Sequence, residues 1–329
     1  MLRPFFAAIT LIFLSTQAIA LCRGDSYYDQ LTVDQAAQLD LDAQAVPYGQ
    51  GTVWVGTKGD AVLTLIGTVH IYDPRLGAHM ARLAQTVQAA DLILLEATPA
   101  EEAQLQSLMT RNPDVFLNTD GPTLPDVLPE KTWDQLMVAL RARDIPPFLA
   151  AKFQPWYLMM TLAIPPCVMG DMAAGRRGLE HMIMDEAAKT GIPLQALEPF
   201  DTLIQIMQDG SEQEQLEMLA LSASIEADQE AMFVAMGDSY FDGDIGKLIA
   251  LNRFAVEDVA GLAPSHVQTL IRDAEEAIII NRNRAWMPKI TAASAKHGDI
   301  VVAVGAGHLP NHQGLLALLV ADGWTITPF

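Results

Sequence analysis

Ala61-Val62-Leu63-Thr64-Leu65-Ile66-Gly67-Thr68-Val69-His70 is an apolar β-type run that stops at a glycine and then presents an imidazole. A second copy of that ending lies near the C-terminus, in Ile300-Val301-Val302-Ala303-Val304-Gly305-Ala306-Gly307-His308. Neither run shows sustained polar alternation, so both read as strands buried on two faces. Each breaks at a glycine, Gly67 or Gly305, whose backbone can turn sharply. In open α/β sheets, ligands gather outside the carboxyl ends of the strands. Two such ends therefore predict one shared site built from His70 and His308. The competing explanation is a pair of ordinary loop histidines, and the duplicated Gly-x-x-His counts against it.

Working outward, Thr52 to Thr57 is another β run, separated from Ala61 to Ile66 by Lys58-Gly59-Asp60, which predicts a hairpin. Tyr72-Asp73-Pro74 interrupts before a helix that starts near Leu76 and turns Met80, Leu83, Val87 and Ala90 inward. Asp91 to Glu96 follows as a strand that is apolar until its last residue, completing a βαβ pattern. A carboxylate closing an apolar strand is costly to desolvate unless a cation, a metal or hydrogen-bond donors meet it. Glu96 thus joins the candidate site, with a salt bridge or helix cap as its structural alternative. Leu194 to Glu198 repeats the theme more weakly and makes Glu198 a second candidate.

From Pro99 to Thr190 the pattern turns helical, broken at Asn112-Pro113, Gly121-Pro122, Pro146-Pro147 and Pro165-Pro166. Lys152 to Ala163, rich in Met and aromatics, reads as core, although such a stripe could also line a groove for an apolar peptide or lipid chain. Gly175-Arg176-Arg177-Gly178 reads as a loop with solvated arginines opening the helix Leu179 to Lys189. An acidic helical tract, Asp201 to Leu251, is expected to break near Gly237-Asp238 and at Asp242-Gly243-Asp244, with water-facing carboxylates. The helix opened by His266 turns Val267, Ile271, Ala274 and Ile278 inward, and on the same stripe fall Arg282 and Trp286. A buried arginine cannot shed its charge, so Arg282 demands an anionic partner: Glu96, a substrate carboxylate or a developing oxyanion. Arg284 faces elsewhere. Gln313 to Asp322 reads as a helix and Trp324 to Thr327 as a last strand.

The 329 residues are 50% hydrophobic and 18% charged, which suits one large domain or two intimately packed ones. Residues 1–20 read as a secretory signal peptide: Arg3, an apolar run from Phe5 to Leu14, and Ala18-Ile19-Ala20 before the cleavage point. That run is too short for a membrane span, and bulky Leu21 speaks against lipid attachment at Cys22. The full chain carries a net charge of −20, and removing Arg3 with the signal makes the mature chain one unit more acidic. Such a surface repels nucleic acid and anionic lipid. After export Cys22 and Cys167 would meet oxidising conditions, either as a pair or as a frayed free thiol and a buried one. No dinucleotide fingerprint, P-loop, Gly-x-Ser-x-Gly elbow or His-Glu-x-x-His helix is complete.

Leu65-Ile66-Gly67-Thr68-Val69-His70, the strand-terminal Glu96, Arg282-Asn283 with Trp286, and Gly305-Ala306-Gly307-His308-Leu309-Pro310 followed by Gly314-Leu315-Leu316 together resemble the TraB/GumN family, which includes the Tiki-type metalloproteases. The resemblance spans nearly the whole mature chain, residues 21–329, including the Trp54 hairpin, Gln154-Pro155-Trp156 and Ala196-Leu197-Glu198. It implies an α/β (α+β) fold: a central β-sheet from two related halves, each with a strand-end Gly-x-x-His, plus a large helical insertion over about residues 99–290. It further implies metal-dependent peptide hydrolysis, with His70 and His308 as motif histidines, Glu96 as the glutamate and Arg282 as the arginine. Two imidazoles and a carboxylate can hold a divalent cation such as Mn, Co or Zn. Glu198 is then a candidate proton shuttle, and whether Glu96 is ligand or base stays open. The C-terminal apolar anchor of animal Tiki proteins is not seen, so a periplasmic protein without a stable membrane anchor is expected. The alternative to an exported peptidase is a non-enzymatic protein capturing a peptide or polysaccharide fragment.

Overall fold

Val53–Lys58 (β1) and Ala61–Thr68 (β2) pair antiparallel, from Val53 opposite Ile66 to Lys58 opposite Ala61. Gly59, at φ +61°, supplies the left-handed turn residue that so tight a connection requires. The structure, a computed structural model, describes Cys22 and residues 24–254 and 263–329, so the expected signal segment lies outside the described residues. Leu92–Leu95 (β3), Leu194–Ala196 (β4), Asp299–Gly305 (β5) and Thr325–Pro328 (β6) complete a mixed six-stranded sheet in the order β4-β3-β5-β2-β1-β6.

The helix expected after β2 is present as Leu76–Ala89. β2 and β3 are not neighbours, however, because β5 arrives from the far end of the chain and lies parallel between them. Each of Ile300, Val301, Val302, Ala303 and Val304 is at most 1% exposed. Burying a large aliphatic side chain stabilises by roughly 1.5–3 kcal/mol relative to exposing it, and only a central strand offers that on both faces. Thr68 consequently pairs with Gly305 and Leu95 with Ala303. The carboxyl ends of β2, β3 and β5 thus finish side by side.

Alternate side chains fill two cores. Leu63, Leu65, Val302 and Val304 pack with Trp286, Ile290, Leu315 and Leu319 on one face. On the other, Ile66, Ile93, Leu95 and Ala303 pack with Leu76, Leu83, Leu179 and Ile183. Helices therefore cover both faces, with Asn281–Lys296 and Leu315–Ala321 on the first and Leu76–Ala89 and Leu179–Thr190 on the second.

The helical segment between β3 and β4 has a core of its own, in which Leu136, Leu140, Phe153, Leu158 and Leu162 meet Leu219. The Met- and aromatic-rich segment is thus largely packing. Arg143, 3% exposed, staples this layer by donating to Ala139 O, Leu162 O and Ile164 O and to Glu226 at 2.6 Å. Two expectations are corrected. Gly237 does not break its helix, which runs through it as Gln229–Asp242 and ends at Gly243 with φ +76°. The glycine makes room for Arg75, whose Nη2 would lie 3.2 Å from an added Cβ, while Asp238 accepts from Arg75 Nη1 at 2.9 Å. Arg176 is not simply solvated either: its Nε donates to Asp171 Oδ1 at 2.6 Å, and Asp171 is buried and needs a cation.

Cys22 and Cys167 form a disulfide with 5.0 Å between their Cα atoms. The helix Val33–Gln44 packs through Leu39 and Ala43 against Ala250 and Leu251 of the helix Ile245–Phe254. Among the described residues no helix is long and apolar enough to cross a membrane.

Gly67 is where the two histidine motifs touch. A Cβ there would stand 3.0 Å from Ala306 Cα and 3.1 Å from its Cβ. Gly67→Ala is expected to destabilise the fold by about 1–3 kcal/mol through overpacking, seen as a lower urea midpoint at unchanged m-value. An unchanged midpoint would mean that the second turn yields freely.

Candidate functional site

Gly305 marks the point of convergence. A methyl group built on its Cα would lie 3.4 Å from Glu96 Oε1, 3.6 Å from His308 Cδ2 and 3.7 Å from His70 Nε2. Three residues from widely separated parts of the chain thus surround one backbone position, and a side chain at 305 would intrude among them. The Gly305 N–H donates to Glu96 Oε1 at 2.7 Å, fixing the carboxylate at the end of its strand. His308 sits on a single turn, Ala306–His308, directly after β5.

Each imidazole is held from behind. His70 Nδ1 lies 2.6 Å from Glu180 Oε1, which also accepts from Thr68 Oγ1 at 2.6 Å. Glu180 belongs to the first turn of the helix Leu179–Thr190. The Gly178 and Leu179 N–H groups donate to His70 O and Val69 O at 3.1 and 2.9 Å, tying that helix start to the motif. Only glycine permits so close an approach at 178, since a Cβ would stand 2.1 Å from Val69 O. His308 Nδ1 lies 2.7 Å from Asn283 Oδ1. The Asn283 amide nitrogen donates to His308 O at 3.3 Å and to Gln313 O at 3.0 Å, so its oxygen must accept from Nδ1–H. Both rings therefore direct Nε2 forward. The Trp286 ring packs against His308 with 4.5 Å between centroids and a 40° tilt.

Arg282, 7% exposed, supplies the fixed positive charge. Its Nη2 donates to Glu96 Oε2 at 2.5 Å and to Glu198 Oε1 at 2.6 Å, and its Nε donates to Glu198 Oε2 at 3.0 Å. Nη1 donates to Ile278 O at 3.0 Å and faces His308 Nε2 at 3.3 Å. Trp286 Nε1 also donates to Glu198 Oε2 at 3.0 Å, so Glu198 is placed as the clamp that orients the guanidinium. The helix bearing Arg282 contains a π turn at Glu276–Ile280 immediately before it. Arg284 is exposed, as expected.

These contacts push the titrating groups apart. Burial lowers His308 to about 4, so its ring is neutral at pH 7. The hydrogen bond to Glu180 is the largest influence on His70 and raises it to about 9, although 71% of its side chain is open to solvent. Burial opposes ionisation of Glu96, but His308, Arg282, His70 and the Gly305 N–H outweigh it and hold the carboxyl at about 2. The site thus combines a charged carboxylate, a neutral imidazole, a protonated imidazole and a permanent cation. Among the described residues no three His, Cys, Asp or Glu side chains stand as a ready metal cage.

Glu180 and the positioning role of Asn283 escape a reading from sequence. Glu180 looks like any first-turn helix acid, whereas Asn283 carries one signal, a polar residue beside a buried arginine. His79 was likewise unforeseen: it is buried in its helix, 3.5 Å from Tyr240 Oη, which donates to Gly67 O at 2.8 Å. A cavity of about 250 Å³, lined in part by Asn118, Phe153, Gln154 and Glu212, lies in the helical layer and includes none of the site residues.

The site makes the fold acid-sensitive in two stages. An unfolded histidine titrates near 6.5, so the unfolded chain takes up a proton before His308 does. In the presence of chelator, stability is expected to fall by about 3 kcal/mol as pH drops from 6.5 to about 4. A further loss follows from 4.5 towards 2 as Glu96 protonates. Urea midpoints across this range check the sign, and His308→Gln should abolish the first stage and shrink the second, since His308 helps to hold Glu96 low. Glu180→Gln should return the His70 titration, followed by NMR, towards 6.5.

The comparisons with curated proteins and with solved structures yield no match. The model of the TraB/PrgY/gumN family matches residues 52–328, which contain the sheet, both Gly-x-x-His turns, Glu96, Glu198 and Arg282. The chain belongs to the TraB/PrgY/gumN family.

Proposed function

We propose that this protein is an exported metal-dependent hydrolase of peptide bonds. The observation that carries the reading is the gathering of His70 Nε2, His308 and Glu96 around Gly305, with Arg282 paired to Glu96 beside them. The peptide as substrate rests on the likeness to Tiki-type metalloproteases.

The donor set fits a divalent ion such as Mn, Co or Zn in kind. Two imidazole nitrogens and a carboxylate are typical of catalytic sites that keep a position open. Hydrogen bonding at the far nitrogen, from Glu180 for His70 and Asn283 for His308, is the support that ligating histidines usually have. His70, His308 and Glu96 would be the holders, and an ion bound there supplies an acidified water and a Lewis-acid pull on a carbonyl. Arg282 Nη1 donates to Ile278 O and toward His308 Nε2, and the second of these hydrogens would turn to a substrate carbonyl oxygen, and to the charge that develops on it, once the His308 lone pair were engaged by an ion. Glu198 and Trp286 keep the guanidinium in that plane. Because His70 is protonated at neutral pH, loading the site must release a proton.

The Cys22–Cys167 bridge supports export to an oxidising compartment, which we take to be the periplasm. Signal cleavage after Ala20 would leave Cys22 close to the new N-terminus.

Wild-type protein purified without chelator should carry metal, and His70→Ala and His308→Ala should lose it. Cleavage of a peptide library with Mn²⁺ should vanish in EDTA and fall at least about a hundredfold in Glu96→Gln, the order expected for loss of a catalytic electrostatic contact. Unchanged metal content in both histidine variants would refute the site. Tight peptide binding without turnover would instead favour the capture protein.

A further inference from the structure

β4 is one edge of the sheet, and its carboxyl end leads through Leu197 to Glu198. Its inner side is committed to β3, since Ile93 N–H donates to Pro193 O at 3.0 Å and Leu197 N–H to Leu95 O at 2.7 Å. In a parallel ladder these two bonds fix the parity of the strand. The backbone groups of Pro193, Gln195 and Leu197 face β3, so the N–H and C=O of Leu194 and Ala196 face outward. No hydrogen bond from a described residue meets those four groups. Pro193, Gln195 and Pro199 are exposed along this border, and Leu194 and Ala196 are half-buried.

Exposed edges are usually blunted by shortness of the strand, by a charge, a proline or a bulge, or by a covering element. Leu194-Gln195-Ala196 is short and follows Pro193, but it carries no charge, internal proline or bulge that would bar a partner from its outward groups. An edge left pairable beside a site that acts on peptides has a natural occupant. We propose that Leu194 and Ala196 form a backbone-binding subsite, on which an extended peptide substrate adds as a further strand beside β4. The proposal rests on the hydrolase reading and deepens it.

Strand spacing sets the geometry. An added strand would lie three spacings from β5, or about 14 Å at ~4.8 Å each. About four extended residues cover that distance. The anchored residues are therefore separated from the scissile bond by about four positions, and substrates must be unfolded over that length. Recognition through the backbone is tolerant of sequence, while the acidic chain favours basic peptides.

The test uses wild-type mature protein in EDTA and the anisotropy of a fluorescein-labelled dodecapeptide of Ala, Thr and Lys, with a single backbone N-methyl group walked along it. Saturable binding is expected, weakened about tenfold by N-methylation at alternate positions within one short stretch. Ala196→Pro should weaken it similarly, because it removes an outward N–H without touching the ladder to β3, and Gln195→Ala should leave it unchanged. No saturable binding, or N-methyl effects without a two-residue period, would overturn the edge subsite. Mn²⁺-dependent cleavage of the same peptide is read separately. Periodic binding without cleavage supports the edge and removes the hydrolase reading, whereas cleavage without periodicity removes the edge alone.

Discussion

The guanidinium of Arg282 cannot lose its proton, and the fold buries it. That constraint organises everything around it. Glu198 accepts from Nε and Nη2, Glu96 accepts from Nη2 as well, and Ile278 O accepts from Nη1. Breaking such a buried pair by removing one partner would leave an uncompensated charge, a loss of several kcal/mol. The carboxyl ends of β3 and β4 and the helix after the π turn are thereby held at one mutual position. His308 then finds its Nε2 beside a fixed cation, and its ring is kept neutral.

The site also depends on where β5 lies. Had the chain paired β2 directly with β3, Glu96 and His70 would be neighbours and His308 would be displaced to one side. Inserting β5 between them brings the turn after Gly305 into the middle, where Gly67 allows Ala306 to approach and Gly305 leaves space among three functional side chains. The most buried strand is thus the one that centres the chemistry. Its stability comes from unbroken aliphatic burial, not from any property of the site itself.

Asymmetry between the two imidazoles gives the site two protonation states at one pH. Glu180 is an anion, so it favours the protonated form of His70, whereas Asn283 is neutral and leaves desolvation to dominate at His308. The duplicated motif therefore delivers two chemically different histidines. That difference lies in the partners behind the rings, which belong to helices outside both motifs.

Much of this was legible in the chain. Two β runs ending in Gly-x-x-His, a carboxylate closing an apolar strand, and an arginine on an inward helical stripe each announce a local cost or conformation that neighbours in sequence can reveal. The hairpin and the helix Leu76–Ala89 follow from the same short-range physics. Strand order, Glu180 behind His70, Glu198 around Arg282 and the room that Gly237 makes for Arg75 could not be read in this way. Sequence alone marked Glu96 and Arg282 as groups that had to be paired, because burying an ionised group without a partner is costly. Only the tertiary structure decided which partner each received, since that depends on which distant segments the packing of both sheet faces brings within hydrogen-bonding reach.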